Sequence, residues 1–320
     1  MNKPLTCQYY VTYRCNSRCN FCNIWKRNSK EQSFDTLAKN LKDLRRLGVK
    51  IIDFTGGEPL LYPHIVEAYS LAKKLGFRTT LTTNGLLYPK FGLKLKGLVD
   101  ILNISFDTLD RDKYLKIRGI DAFNQVLEAI DYAKKIKEKI YLLKTVTPDD
   151  FDELDDLVKF AQSKRVTLKL NPLFVYFDMT AAKSYTTLSE KTINKIRKLA
   201  KQPYVIIDFA HYKFIEDGGN NKEKPLCNAG KKVITISPDN KLVLPCFHKK
   251  IKEVPIENNL YELYYSQEIQ NEIKNAGRYD FCQGCYINCY FRYSLYDKPR
   301  FWLETFKSIN KQLIEHYIRR

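Results

Sequence analysis

At 320 residues, 44% of them hydrophobic and 28% charged, the chain is long enough to bury a real core and has the composition of a soluble globular protein. Its N-terminal stretch MNKPLTCQYYVTYRC has no apolar core followed by small residues, and no apolar run reaches the ~18 residues of a membrane helix, so export and membrane spanning are excluded and a cytoplasmic protein is expected. The net charge of +18 raises the question of nucleic acid, but the lysines are spread along helical faces and no compact basic run or RNA-binding motif supports it.

From residue 8 onward, short β-rich runs alternate with amphipathic stretches. Strands are predicted at Gln8–Tyr13, Lys50–Phe54, Arg78–Thr82, Ile101–Phe106, Ile140–Val146 and Thr167–Leu170. Helices are predicted at Phe34–Leu47, Ile65–Leu75, Phe123–Ile136 and Asp152–Gln162, each with apolar residues recurring at three and four. Such alternation predicts a parallel α/β sheet or partial barrel, with its chemistry in the loops at the carboxyl ends of the strands. Regularity is lost around Pro172–Asn221, which reads as a bridging segment with Gly218-Gly219-Asn220-Asn221 as its flexible marker. VITISPDNKLVLPC then reads as a hairpin turning at Pro238-Asp239-Asn240, and Trp302, Phe306 and Ile309 lie at helical spacing in a closing helix.

The nine cysteines are an odd count in a chain without an export signal, and their grouping points to metal or catalysis. Cys7, Cys15, Cys19 and Cys22 lie near the start, and Cys227, Cys246, Cys282, Cys285 and Cys289 near the end. In CNSRCNFC, three thiolates can ring one soft metal centre and leave a position open on it. A structural zinc ion would want a fourth ligand nearby, and neither His64 nor Cys7 sits in that loop.

This loop, with Phe21 before the third cysteine and placed after the first strand, resembles the cluster-binding loop of radical S-adenosylmethionine (SAM) enzymes. Thr55-Gly56-Gly57-Glu58-Pro59 after the second strand resembles that family's GGEP motif, whose backbone meets the SAM amino group. Thr83-Asn84-Gly85 is similar to a turn lining the SAM pocket, and Ser105-Phe106-Asp107 to a segment whose serine meets the SAM ribose or carboxylate. Ile117-Arg118-Gly119 resembles the position of an arginine that pairs the SAM carboxylate, a task suited to a guanidinium. Asn84-Gly85 also reads as a plain left-handed turn, and Arg118 as a surface ion pair. The resemblance implies a [4Fe–4S] cluster on Cys15, Cys19 and Cys22, SAM bound at its open iron, and an electron donor such as flavodoxin or ferredoxin.

The later cysteines resemble the auxiliary-cluster extensions called SPASM and twitch. A hairpin flanked by Cys227 and Cys246, with Cys282-x-x-Cys285, fits the shorter, four-ligand twitch form and implies a second [4Fe–4S] cluster. A four-cysteine zinc ribbon would use the same hairpin and spacing. Cys289 reads equally as a small buried hydrophobe, a substitute ligand or a catalytic thiol.

The expected architecture is therefore a partial (β/α)6 TIM-like barrel with bridging segment over 1–224, then a small auxiliary iron–sulfur domain with a C-terminal helix over 225–320. The expected activity is SAM cleavage and hydrogen abstraction from a small molecule, with the basic charge favouring an anionic one. Peptide modification is the alternative, disfavoured because Cys15 comes too early for a leader-binding domain upstream. A non-catalytic iron–sulfur or zinc scaffold would have no use for the GGEP segment. No catalytic acid, base or radical-quenching residue is assigned.

Overall fold

The computed structural model describes residues 3–174 and 188–318. Its elements follow in chain order: β1 (Thr6–Thr12), α1 (Phe34–Leu47), β2 (Ile51–Gly56), α2 (Ile65–Lys74), β3 (Arg78–Thr83), α3 (Tyr88–Leu95), β4 (Ile101–Ser105), α4 (Arg111–Arg118), α5 (Phe123–Lys135), β5 (Ile140–Val146), α6 (Leu154–Lys164) and β6 (Thr167–Pro172). Then come α7 (Glu190–Leu199), β7 (Val205–Ile206), α8 (Phe209–Glu216), β8 (Val233–Ile236), β9 (Lys241–Pro245), β10 (Lys250–Pro255), α9 (Leu260–Tyr265), α10 (Gln267–Lys274), α11 (Asn288–Tyr296) and α12 (Trp302–Ile318).

One ten-stranded sheet runs β10-β9-β8-β1-β2-β3-β4-β5-β6-β7, parallel from β8 to β7 and closed at the other end by antiparallel β9 and β10. The α/β barrel-like fold expected from the alternation is what forms. One face of its strands carries Cys7, Tyr9, Ile52, Phe54, Leu102, Ile104, Leu168 and Leu170 against the helices. Cys7 is fully buried there and fills core.

Local sequence chemistry sets the helix ends. Ser33 caps α1 by accepting from Thr36 N, and Gly48 stops it at φ 95°. Helices α3 and α4 escaped the sequence pattern because both are short: α3 carries Pro89 and Gly92, and α4 buries only Tyr114 and Arg118.

The reading of 172–221 as irregular needs correcting. It holds α7, β7 and α8, and β7 pairs parallel with β6, adding a further β/α unit. Residues 175–187 lie outside the described residues. The hairpin at 233–245 is present, with a third strand, β10, beyond it. Because β8 pairs with β1, the segment from 225 onward extends the barrel's own sheet.

Candidate functional site

Cys15, Cys19 and Cys22 lie on the loop leaving the carboxyl end of β1. That loop is hooked onto the end of α4: Arg18 N donates to Arg118 O at 2.8 Å and Asn20 N to Ile117 O at 2.9 Å. Gly119 is required at this hook, since it sits at φ 68° and a Cβ there would lie 2.5 Å from Arg18 O. Asn84 ties the loop to β3 by donating to Asn16 Oδ1 (2.7 Å) and Ser17 Oγ (3.1 Å). Burial pushes the Cys15 thiol up to about 11 and the Cys22 thiol to about 12, and each is raised further by neighbouring cysteine sulfurs. Buried thiols of this kind ionise when a cationic centre compensates them.

Arg118 is the cation already in place. It is buried, paired with the buried Asp107, and donates from Nη1 to Cys19 Sγ at 3.6 Å, with its guanidinium 5.7 Å from the Phe21 ring centroid. Its planar fork is therefore turned toward the cysteine loop. Asp107 in turn accepts from Thr145 N at 3.0 Å.

The Gly56-Gly57-Glu58-Pro59 segment packs directly beneath. A Cβ on Gly56 would lie 1.9 Å from Thr12 O, and one on Gly57 2.2 Å from Arg14 O, so only glycine allows β2 to pass this close to the end of β1. Glu58 is buried and accepts from Thr83 Oγ1 and Asn84 N, both at 2.8 Å, and from Leu60 N at 3.2 Å. Burial raises its carboxyl to about 7 against those hydrogen bonds. Glu58 thus braces the ends of β2 and β3, and buried Pro59 opens the short turn that follows. Ser105 ends β4, alternating with the core residue Ile104.

The other face of the strands is polar. Gln8, Asp53 and Thr80 stand in one cross-strand row, and Thr82, Asn103 and Tyr141 in another. Thr80 Oγ1 donates to Asp53 Oδ1, Asn103 Nδ2 to Thr82 Oγ1 at 3.1 Å, and Lys169 Nζ to Asn103 Oδ1 at 2.8 Å while lying over Tyr141. Among the described residues, Gln8 Oε1 is buried without a hydrogen-bond partner. Polar residues inside strands read as a solvent face in sequence, so these were missed; their recurrence at alternate positions on successive strands is the signal that could have found them.

Cys227, Cys246, Cys282 and Cys285 line one small cavity with Gly277, Lys249 and Tyr290. The organiser of their loops is Asn220, a residue the sequence reading had placed in a flexible marker. It is 1% exposed and donates from Nδ2 to Gly277 O (2.9 Å) and Cys282 O (3.0 Å). Cys289 lies outside that lining, and its thiol meets the Gln8 side chain from β1 with Asp53 nearby. Among the described residues no three His, Cys, Asp or Glu side chains are spaced to hold a single metal ion. Beside the first loop, a cleft of about 830 Å³ is lined by Cys19 and Cys22, by Arg18, Lys26, Arg27 and Lys30, and by Asp239 and Glu253.

Residues 9–158 match the Radical SAM superfamily. The chain is 33% identical over 164 residues to a probable GTP 3',8-cyclase of Pyrococcus abyssi, covering 50% of this chain and 54% of that protein. It therefore spans about half the length of that relative. A probable GTP 3',8-cyclase of Sulfolobus acidocaldarius is 24% identical over 284 residues, 84% of this chain and 89% of that protein. In fold it is similar to Streptococcus suis SuiB bound to S-adenosylmethionine (TM-score 0.70, 17% identity, 85% of this chain and 68% of SuiB). It is also similar to anSMEcpe with bound AdoMet and a peptide (TM-score 0.66, 17% identity, 95% and 99% of the two chains).

Proposed function

We propose that this chain, whose residues 9–158 match the Radical SAM superfamily, is a radical SAM enzyme that abstracts hydrogen from a small anionic molecule held over the polar face of its sheet. The residues present fit the family's cofactors, a [4Fe–4S] cluster and SAM: three soft thiol donors share one braced loop, and a buried guanidinium already points at one of them. When bound, these cofactors supply one-electron cleavage of SAM to methionine and a 5'-deoxyadenosyl radical.

The chain's own residues bind and orient. Cys15, Cys19 and Cys22 would hold the cluster, with Arg118 Nη1 donating to Cys19 Sγ. The backbone of Gly56-Gly57, with Asn84 and Ser105, would border SAM; Glu58, Pro59 and Phe21 support this wall from behind. The single observation that carries the substrate reading is the polar face made by two cross-strand rows, Gln8, Asp53 and Thr80 in one and Thr82 and Asn103 in the other, with Lys169 bonded to Asn103. Such a surface suits a small polar ligand fixed by a few convergent groups. GTP is the first candidate, since relatives carry the name GTP 3',8-cyclase and the net charge of +18 favours an anion.

Cys227, Cys246, Cys282 and Cys285 are assigned to a second, auxiliary [4Fe–4S] cluster in the segment from 225. Cys289 is then spare, and Cys289→Ala should keep the wild-type iron content and absorption spectrum; losing half the iron would make Cys289 a ligand. The basic rim around Arg18, Lys26, Arg27 and Lys30 suits an acidic electron donor such as flavodoxin or ferredoxin. No helix among the described residues is long and apolar enough to cross a membrane. We place the protein in the cytoplasm, where thiols stay reduced.

The test is anaerobic. Reconstituted protein with SAM and dithionite should yield 5'-deoxyadenosine, and deuterated GTP should pass its label into that product. No 5'-deoxyadenosine at all would sink the reading. A second reading, peptide modification, is favoured by the SuiB structure bound to precursor peptide SuiA. Label transfer from a peptide and none from GTP would select it.

A further inference from the structure

Arg118 could have been a solvated surface ion pair, but the fold shuts it in. Arg118 is 6% exposed and its counter-ion Asp107 1% exposed, so solvent and salt screen neither charge well. The two stand in a fixed order. Arg118 lies on the side of the cysteine loop, donating from Nη1 to Cys19 Sγ at 3.6 Å while Nη2 meets Asp107. Asp107 is held on the side of β5, where its Oδ1 accepts from Thr145 N at 3.0 Å. The backbone of the same arginine anchors the loop, since Arg118 O accepts from Arg18 N at 2.8 Å. The pair is therefore a dipole whose positive end is fixed against Cys19.

Core stability does not account for this arrangement. Desolvating two charges costs about as much as their attraction returns, so a buried ion pair adds little to the fold. Among the described residues, Arg118 Nε is also buried without a hydrogen-bond partner, a further cost that a purely structural pair would avoid. A cation kept here acts on whatever Cys19 holds.

We propose that Arg118 raises the reduction potential of the cluster on Cys15, Cys19 and Cys22, and that Asp107 limits the rise. The inference rests on the cluster proposed for those three cysteines. Reduction adds one negative charge to the cluster and its thiolates. A hydrogen bond to a ligand sulfur and a buried positive charge both favour that reduced form. The Asp107 carboxylate, which bonds the guanidinium rather than the sulfur, acts with the opposite sign. Both are positioning residues: they act through a cluster ligand and set how readily the centre accepts its electron.

A potentiometric titration followed by electron paramagnetic resonance, run without SAM, reads this apart from turnover. The first centre is the signal that the Cys15, Cys19 and Cys22 triple alanine variant lacks, and the second centre is an internal reference. Arg118→Met should lower the first potential, by about tenfold in the ratio of reduced to oxidised cluster or about 59 mV. Asp107→Asn, which keeps an acceptor for Thr145 N, should raise it by a smaller amount. Arg118→Lys, which keeps the charge, should lie between Arg118→Met and the wild type. Opposite shifts are the signature, because mere loosening of the loop would move the arginine and aspartate variants the same way. If Arg118→Met assembles no first centre, the upward shift in Asp107→Asn decides. Unchanged potentials, or shifts of one sign in Arg118→Met and Asp107→Asn, would overturn the proposal. A wild type with no first centre at all would instead overturn the cluster assignment.

Discussion

Replacing Cys15, Cys19 and Cys22 together by alanine should remove about half of the iron from the reconstituted protein and all formation of 5'-deoxyadenosine. The wild type should carry roughly eight irons per chain, four for each cysteine set. The three thiols share one loop fixed at both sides, by Arg118 O and Ile117 O on one and by Asn84 on the other. None of these anchors uses a cysteine side chain. The triple variant should therefore fold, keep the cavity of Cys227, Cys246, Cys282 and Cys285 intact, and lose only the first centre. Retained SAM cleavage in this variant would overturn the assignment of the first loop. About four irons plus one tightly bound zinc in the wild type would overturn the second.

The parts of the fold most legible in the sequence are those where burial is periodic. Phe34–Leu47 and Ile140–Val146 form at the residues predicted, because Leu37, Leu41, Leu44 and Leu47 recur on one helical face and Ile140, Leu142 and Val146 alternate along a strand. Helix α4 was illegible because its two buried residues, Tyr114 and Arg118, are a hydroxylated ring and a cation, which no apolar periodicity marks. Asn220 was illegible for a related reason. In sequence, Gly-Gly-Asn-Asn signals a loop, and nothing local reveals that its amide reaches residues more than fifty positions away. Trp302, Phe306 and Ile309 were legible as a helix but not as an outward face, since periodicity reports a stripe and not the direction it points. At the first centre the residue types were readable, and what the sequence did not carry was the contacts that link them. Glu58 braces strand ends, and Arg118 is committed to Asp107 and Cys19.

Asn220→Ala should cost about half the iron while leaving all nine cysteines in place. The side chain makes three buried hydrogen bonds: two donated, to Gly277 O and Cys282 O, and one accepted, from Leu226 N at 3.1 Å. Its backbone adds two more, donating to Cys285 O at 2.9 Å and accepting from Gly284 N at 2.8 Å. One residue thus positions the segments bearing Cys227, Cys282 and Cys285. Alanine keeps the backbone pair but leaves the Gly277 carbonyl and the Leu226 amide unpaired, each costing about 1–3 kcal/mol, while Cys282 O keeps only its bond from Cys285 N. The loops should then loosen where a four-thiol site demands the tightest placement. The first centre, braced by Asn84 and Arg118, shares none of these bonds. Iron should fall to roughly four per chain, the melting temperature should drop by several degrees, and uncoupled cleavage of SAM should persist. Asn220→Asp, which sets a buried carboxylate oxygen against Gly277 O and Cys282 O where the amide had donated, should lose at least as much iron as alanine. Full iron and an unchanged melting temperature in Asn220→Ala would show that the four thiols are held without this strut.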